Sequence, residues 1–293
     1  MSVLLLAGAT GTLGRALVHQ LAEQRRPTRL LVRRPEALPA DLPHTIEVVL
    51  GEVTQPETLV GVMDGVGAVL STVGITRQRD GLTYDQVDYG ANRNLLDAAL
   101  AAGVPRFGYV SVLGGRALRH IALCAAKERF VDDLTQADIE SVVIRPTGFY
   151  TDLAAFVAMA KRDRAWIFGD GQRRLNPIHP EDLAVACLRA LDAGTPEAAV
   201  GGPEVLTHEA IARLAFEAVG WSPVVTPIPD LVRRAALAVA RRLPATWAGP
   251  AAFFLAMMGR DQIAPTFGER HLRDFFHKVA YPTPSGAPDY AAA

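Results

Sequence analysis

Two periodicities alternate through the first half of the chain, and no feature constrains its fold more. "VLLLAG" (Val3 to Gly8), "RLLVRR" (Arg29 to Arg34), "IEVVLG" (Ile46 to Gly51), "AVLST" (Ala68 to Thr72), "FGYVSV" (Phe107 to Val112) and "SVVIRP" (Ser141 to Pro146) are short apolar runs bounded by turn residues. Each predicts a buried strand. Between them, Leu13, Leu17 and Leu21 recur four apart, as do Val87, Ala91, Leu95 and Ala99, so each intervening segment carries one apolar helical face. Strand, helix and strand in succession close right-handed crossovers into a parallel sheet covered on both sides. The expected class is therefore α/β, a doubly wound parallel sheet over residues 1–150. A smaller, mostly helical C-terminal lobe is expected over 151–293, with strands or helices returning to the core. A chain of 293 residues with 49% hydrophobic content is long enough for one large core and a satellite.

The first predicted strand runs directly into "AGATGTLGR", with glycines at 8, 11 and 14. Glycine at the strand end permits a tight turn and close approach of the backbone to a pyrophosphate, and the N-terminus of the following helix offers free N–H groups to the anion. The spacing Gly-x-x-Gly-x-x-Gly is a variant of the more common Gly-x-Gly-x-x-Gly fingerprint. A dinucleotide is the ligand this arrangement suits. At the end of the second strand, where an acid would bond the ribose 2′-hydroxyl of NAD, the chain has Arg33 and Arg34, Arg33 lying 19 residues after Gly14. A guanidinium grips a 2′-phosphate and cannot accept a hydroxyl proton, so NADP(H) is the expected cofactor. The candidate cofactor-binding residues are Gly8, Thr10, Gly11, Thr12, Leu13, Gly14, Arg33, Arg34, Thr72, Gly74, Lys127 and Pro146.

"GATGTLGR", "VDYGANRNLLDAALAAGVPRFGYVSVLGG", "AKERF", "IRPTGFY", "NPIHPEDLA" and, further on, "GGPEVLTHEAIARLAFEAVG" resemble, in that order, the atypical short-chain dehydrogenase/reductases of the NmrA-like and complex-I-subunit-like branch. The resemblance implies a Rossmann domain, a nicotinamide nucleotide and a C-terminal lobe on the substrate side. It fixes no substrate, and the branch includes proteins that bind NADP(H) as sensors or assembly factors.

Typical members of that family carry Tyr-x-x-x-Lys, the tyrosine exchanging a proton with substrate while the lysine binds the nicotinamide ribose. Lys127 stands 18 residues before Arg145, the family's spacing, but Leu123 occupies the tyrosine position. Three accounts follow. Lys127 itself handles the proton, its pKa lowered by desolvation. Alternatively another hydroxyl substitutes, Ser111, Tyr150 or the deeper Tyr109. In the third, the protein binds NADP(H) and reduces nothing. The candidate catalytic residues are Lys127, Ser111 and Tyr150. Ser111 is no hydrolase nucleophile, because Tyr109 and Leu113 stand where a nucleophile elbow needs glycines. His179 precedes a helix whose first turn carries Glu181 and Asp182, a structural placement, and His120 is expected to be solvated or packed.

The formal net charge of −1 favours neither nucleic acid nor an anionic surface as a global partner. The two cysteines, Cys124 and Cys187, form no disulfide framework or metal-ligand spacing, so no metal is expected and a reducing cytoplasm fits. No secretory signal is expected at the N-terminus, and no uncharged run approaches the ~20 residues that span a bilayer. The expected partner is a small organic substrate, apolar or aromatic; oligomeric state is open.

In the second half, "LTHEAIARLAFEAVG" has an N-cap at Thr207 and a C-cap at Gly220. "PIPDLVRRAALAVARRLP" sets Arg233, Arg234, Arg241 and Arg242 around Leu231, Leu237, Ala238 and Val239. Such a basic amphipathic helix can lie on a membrane or roof a pocket, and its small alanines favour the roof. "PAAFFLAMMG" supplies Phe253, Phe254, Leu255, Met257 and Met258 as core or as a wall for an apolar substrate. The Pro- and Ala-rich tail "YPTPSGAPDYAAA" is expected to be poorly ordered unless docked.

Overall fold

The computed structural model describes residues 2–75 and 81–282; all but the first two residues of the tail lie outside them. The strands are β1 (Val3–Ala7), β2 (Thr28–Val32), β3 (Ile46–Leu50), β4 (Val66–Ser71), β5 (Arg106–Val110), β6 (Glu140–Pro146), β7 (Ala165–Phe168), β8 (Arg174–Leu175), β9 (Glu197–Val200), β10 (Leu206–Thr207) and β11 (Val225–Ile228). The helices are α1 (Thr12–Glu23), α2 (Asn92–Ala101), α3 (Ala122–Gln136), α4 (Ala154–Ala160), α5 (Pro180–Ala193), α6 (His208–Val219), α7 (Asp230–Ala240), α8 (Ala245–Met257) and α9 (Leu272–Ala280).

Seven strands form one parallel sheet in the order β3-β2-β1-β4-β5-β6-β9. This is a Rossmann-like doubly wound fold. Its chain order reverses between β1 and β4, the switch point outside which such sheets bind ligands. Central strands are apolar on both faces because both are covered: Leu4, Leu5 and Leu6 have no exposed surface. One face packs on α1 and α5 around Leu17, Leu21, Leu183 and Leu188, the other on α2 and α3 around Leu95, Leu96, Phe130 and Leu134. The edge strand β3 has only one neighbour and leaves Val48 and Leu50 exposed.

Beyond residue 150 the chain both returns to this core and leaves it. Helix α5 packs on α1, and β9 completes the sheet beside β6. Helices α4, α6 and α9, with the β7–β11 and β8–β10 pairs, build a second core around Phe156, Phe216 and Phe276. Thr207 caps α6 by accepting the Ala210 N–H at 3.1 Å, and Gly220 ends it at φ +76°. Helices α7 and α8 pack on each other as a hairpin, and α8 lies against α3.

Helix α3, which carries Leu123 and Lys127, begins at Ala122. A short 3₁₀ turn over Gly115–Leu118 and an extended Ile121 precede it. The Val87 and Ala91 part of the other helical face is a π-helical turn over Asp85–Ala91 that runs into α2.

Candidate active site

The three glycines serve three different needs. Gly8 has φ +87°, and a Cβ there would lie 2.5 Å from Thr72 Oγ1. The Thr72 hydroxyl bridges the Ala7 and Gly8 carbonyls at 3.1 and 3.2 Å, tying the exits of β1 and β4 together. At Gly14 a Cβ would overlap the Gly8 carbonyl oxygen, so only glycine lets α1 rise this close to the turn. Gly11 is exposed, and the protein atom nearest its added Cβ would be 3.5 Å away. The protein does not need a glycine there; a ligand on the N-terminus of α1 would. Gly11 is the extended N-cap of α1 and no side chain caps the helix, which leaves its first-turn N–H groups directed at the switch point. Thr10 and Thr12 are half-buried beside it and Leu13 is buried. The Thr10 carbonyl accepts from Arg15 Nε at 3.1 Å.

Arg33 and Arg34 follow β2 and are exposed. Arg33 Nη1 lies 3.3 Å from Glu52 Oε2, so the basic pair has an acidic neighbour just past β3, one the strand pattern gave no reason to weigh.

On the other side of the switch point the exit of β4 is clamped. Asn92, at the start of α2, accepts from Ser71 Oγ at 2.6 Å and donates to the carbonyls of Val73 and Asp88 at 3.2 and 3.0 Å. Four residues earlier, Asp88 is fully buried: one carboxylate oxygen accepts the Ile75 N–H at 3.3 Å and the other lies 3.0 Å from Lys127 Nζ. Lys127 also donates to the Tyr109 hydroxyl at 3.3 Å. Gly74 crosses over this pair, and a Cβ there would stand 2.6 Å from Asp88 Oδ1 and 2.8 Å from Lys127 Nζ.

Burial alone would lower the Lys127 ammonium, but Tyr109 and Asp88 outweigh it and hold the lysine above its ordinary value. That is the reverse of the lowering a neutral catalytic lysine needs, so Lys127 is held as a cation that donates hydrogen bonds and releases its proton less readily than a free lysine. Burial pushes the Asp88 carboxyl up while Lys127 pulls it back, the first effect being larger. Burial likewise raises the Tyr109 phenol to about 12.

The other candidate hydroxyls are held elsewhere. Ser111 Oγ donates to Glu128 Oε1 at 2.9 Å, inside a buried pair in which Arg145 grips Glu128 with both terminal nitrogens, at 2.5 and 3.0 Å. Tyr150 lies in the second core, its hydroxyl donating to the Arg270 carbonyl at 2.6 Å and its ring packed edge-on against His179. His179 caps α5, its Nδ1 accepting the Glu181 N–H at 3.2 Å, and His120 is exposed. Pro146 ends β6, where its carbonyl accepts the Leu113 N–H at 3.0 Å.

Leu123, in the tyrosine position, is buried with Tyr84, Leu118, Ile121 and Cys124. Leu237 of α7 and Phe253, Ala256 and Met257 of α8 close over this cluster. The helical hairpin is thus a roof on α3, one turn from Lys127. Burial pushes the Cys124 thiol up to about 12, which leaves it unreactive.

Asp88, Asn92 and Glu128 are the polar residues that sequence reasoning passed over. Their signal was present: Asp88 and Asn92 stand four apart beside the apolar stripe Val87, Ala91, Leu95, and polar groups at helical spacing on a buried flank imply an internal partner.

The NAD(P)H-binding family matches residues 8–193, the span that holds the glycine turn, the β4 exit and Lys127. The chain belongs to the NAD(P)H-binding family. Within it the chain is of the atypical short-chain dehydrogenase/reductase, NmrA-like kind. It is 30% identical over 235 residues to a ceramide reductase of Caulobacter vibrioides, covering 78% of this chain and 74% of that protein. It is 28% identical over 231 residues to the photosystem II assembly factor Ycf39 of Guillardia theta, covering 77% and 73%. Among solved structures, a nucleoside-diphosphate-sugar epimerase from Staphylococcus aureus superposes with a TM-score of 0.76 at 17% identity, over 94% of this chain and all of that one, a likeness of fold. Family membership makes this a nicotinamide-nucleotide protein with reductases among its relatives.

Proposed function

We propose that the protein is an NADPH-dependent reductase of a small apolar carbonyl compound or conjugated double bond. The observation that carries this reading is the buried Lys127 cation, fixed by Asp88 and Tyr109 at the C-terminal edge of the sheet, directly under the β4 exit. The N-terminus of α1 would hold the pyrophosphate, and Arg33 with Arg34 the 2′-phosphate. Lys127 would hold the nicotinamide ribose. Bound NADPH supplies a hydride. Reduction also consumes one proton, and the Lys127 ammonium is the donor the site offers, with Asp88 restraining its position. Leu237, Phe253 and Met257 on the roof suit an apolar substrate.

One observation favours a second reading, a catalytically silent NADP(H)-binding regulator or assembly factor: the tyrosine position is filled by Leu123 and sealed under α8. NADPH oxidation by the wild type, Lys127→Ala and Leu123→Tyr across one panel of carbonyls and enones separates the two. The reductase reading expects turnover in the wild type and a fall of about 10² or more in Lys127→Ala with only modest loss of NADPH affinity. No turnover in the wild type, or turnover gained only in Leu123→Tyr, would establish the silent reading. Turnover that survives Lys127→Ala would end the lysine mechanism.

A further inference from the structure

Helix α7 places a buried arginine beside Leu237 on its inner side and leaves large apolar side chains on its outer side. Its inner side carries Arg233, which is buried, donates to both carboxylate oxygens of Asp230 at 2.5 and 3.1 Å, and reaches the Leu255 carbonyl of α8 at 2.8 Å. Arg233 therefore clamps α7 to α8 and is not part of the basic surface that the sequence pattern suggested. The outer side carries Leu231, Val232 and Val239, all exposed, with Leu231 at 73%. The spacing of Leu231, Ala235 and Val239 keeps them in one line along the helix. Past the end of α7 the apolar surface continues through Leu243, Trp247 at 84% exposure and Phe254. Six large apolar side chains on one helical hairpin exceed the scatter of single exposed residues normal for a soluble surface.

The charges on this hairpin are predominantly positive, the one acid of α7, Asp230, being paired with the inward Arg233. Residues 231–260 contain five arginines and no aspartate, glutamate or lysine. Arg234, Arg241 and Arg242 are exposed and form no ion pair with an acid among the described residues. Many surface arginines elsewhere are paired with acids, for instance Arg106 with Glu140 and Arg119 with Asp132. An apolar stripe flanked by unneutralised arginines, with a tryptophan at its most exposed point, is complementary to the boundary between anionic headgroups and acyl chains. No described helix is long and apolar enough to cross a membrane, so the contact would be parallel to the surface. We propose that the outer face of the α7–α8 hairpin docks the protein on an anionic phospholipid surface. This docking does not depend on whether the site beneath the hairpin turns over a substrate.

The test is co-sedimentation of the full chain with vesicles, either of phosphatidylcholine alone or of equal parts phosphatidylcholine and phosphatidylglycerol. Binding is expected to the anionic vesicles only, and to be lost at ~0.5 M salt, where charges are screened within a few ångströms. The pair Arg241→Glu and Arg242→Glu should weaken it at least about tenfold, as should Leu231→Ser with Trp247→Ser, while NADPH affinity stays at the wild-type value. In a Trp166→Phe, Trp221→Phe protein the remaining Trp247 should shift its emission to the blue when anionic vesicles are added. Absence of sedimentation with anionic vesicles at low salt would overturn the proposal. So would binding that both surface pairs leave intact, or a concentration-dependent dimer dissolved by Trp247→Ser, which would make the face a contact between copies of the chain.

Discussion

The two sides of α3 are built on opposite terms. Towards the sheet, each charge named above has a partner inside the protein: Lys127 has Asp88, Glu128 has Arg145 and Ser111, and Arg145 also reaches Glu197. Towards the hairpin, α3 packs against the apolar side chains Leu237, Phe253, Ala256 and Met257, and the far face of the hairpin combines exposed apolar surface with unpaired arginines. A polar group buried without a partner is costly, so the sheet side can hold one arrangement only, whereas an exposed Leu or Trp costs little folding free energy and is free to serve a contact. The comparison teaches where substitution should damage folding and where it should damage only recognition.

The largest effect should come from breaking the buried pair. Glu128→Gln leaves Arg145 inside without its bidentate partner, a change expected to cost about 3–5 kcal/mol and lower the melting temperature by roughly 10 °C. A shift of only a degree or two by calorimetry would mean that the pair contributes little to holding α3 against β5 and β6.

Next comes pH. Burial drives His208 down from 6.5 to about 4, so the folded protein keeps it neutral where the unfolded chain takes up a proton. Stability is full above pH 6.5 and falls as the pH drops toward 4, with about 2 kcal/mol of the loss accumulated by pH 5. His208→Gln should flatten that part of the curve in denaturant titrations from pH 7 to pH 4.5. An unchanged slope would assign the loss to other groups, of which His179, also pushed by burial to about 4, is the first to check.

Cofactor choice is the third measurement and tests the open rim of the site. NADPH should bind at least ~10-fold more tightly than NADH, since charge-assisted contacts to a 2′-phosphate can exceed ~1.4 kcal/mol. Calorimetric titration should show Arg33→Ala reducing that ratio and Glu52→Gln increasing it, because Glu52 competes for the same guanidinium. Equal affinities in the wild type would defeat the assignment.

The smallest effect sharpens the contrast most. Leu231→Ser and Trp247→Ser, each at an exposed position, should change folding stability by no more than ~0.5 kcal/mol. A loss of several kcal/mol in either would show the outer face of the hairpin to be part of the fold after all.

Much of the nucleotide half could be read before folding. The strand and helix alternation defined the parallel sheet, the glycine spacing defined the turn before α1, and the family resemblance singled out Lys127 by its spacing from Arg145. These features are local: a backbone of fixed period converts residue spacing directly into a buried face or a tight turn. Tertiary structure alone decided the rest. It brought Asp88 and Tyr109 to Lys127 from elsewhere in the chain, and so made the lysine a held cation instead of a neutral base. It also turned Arg233 inward and Leu231 outward on α7. Periodicity shows that a helix has two faces, but which one meets protein depends on what the neighbouring elements offer. Here Asp230 and the Leu255 carbonyl satisfied the buried guanidinium, Leu237 packed beside it, and Leu231, Val232 and Val239 were left for the surface.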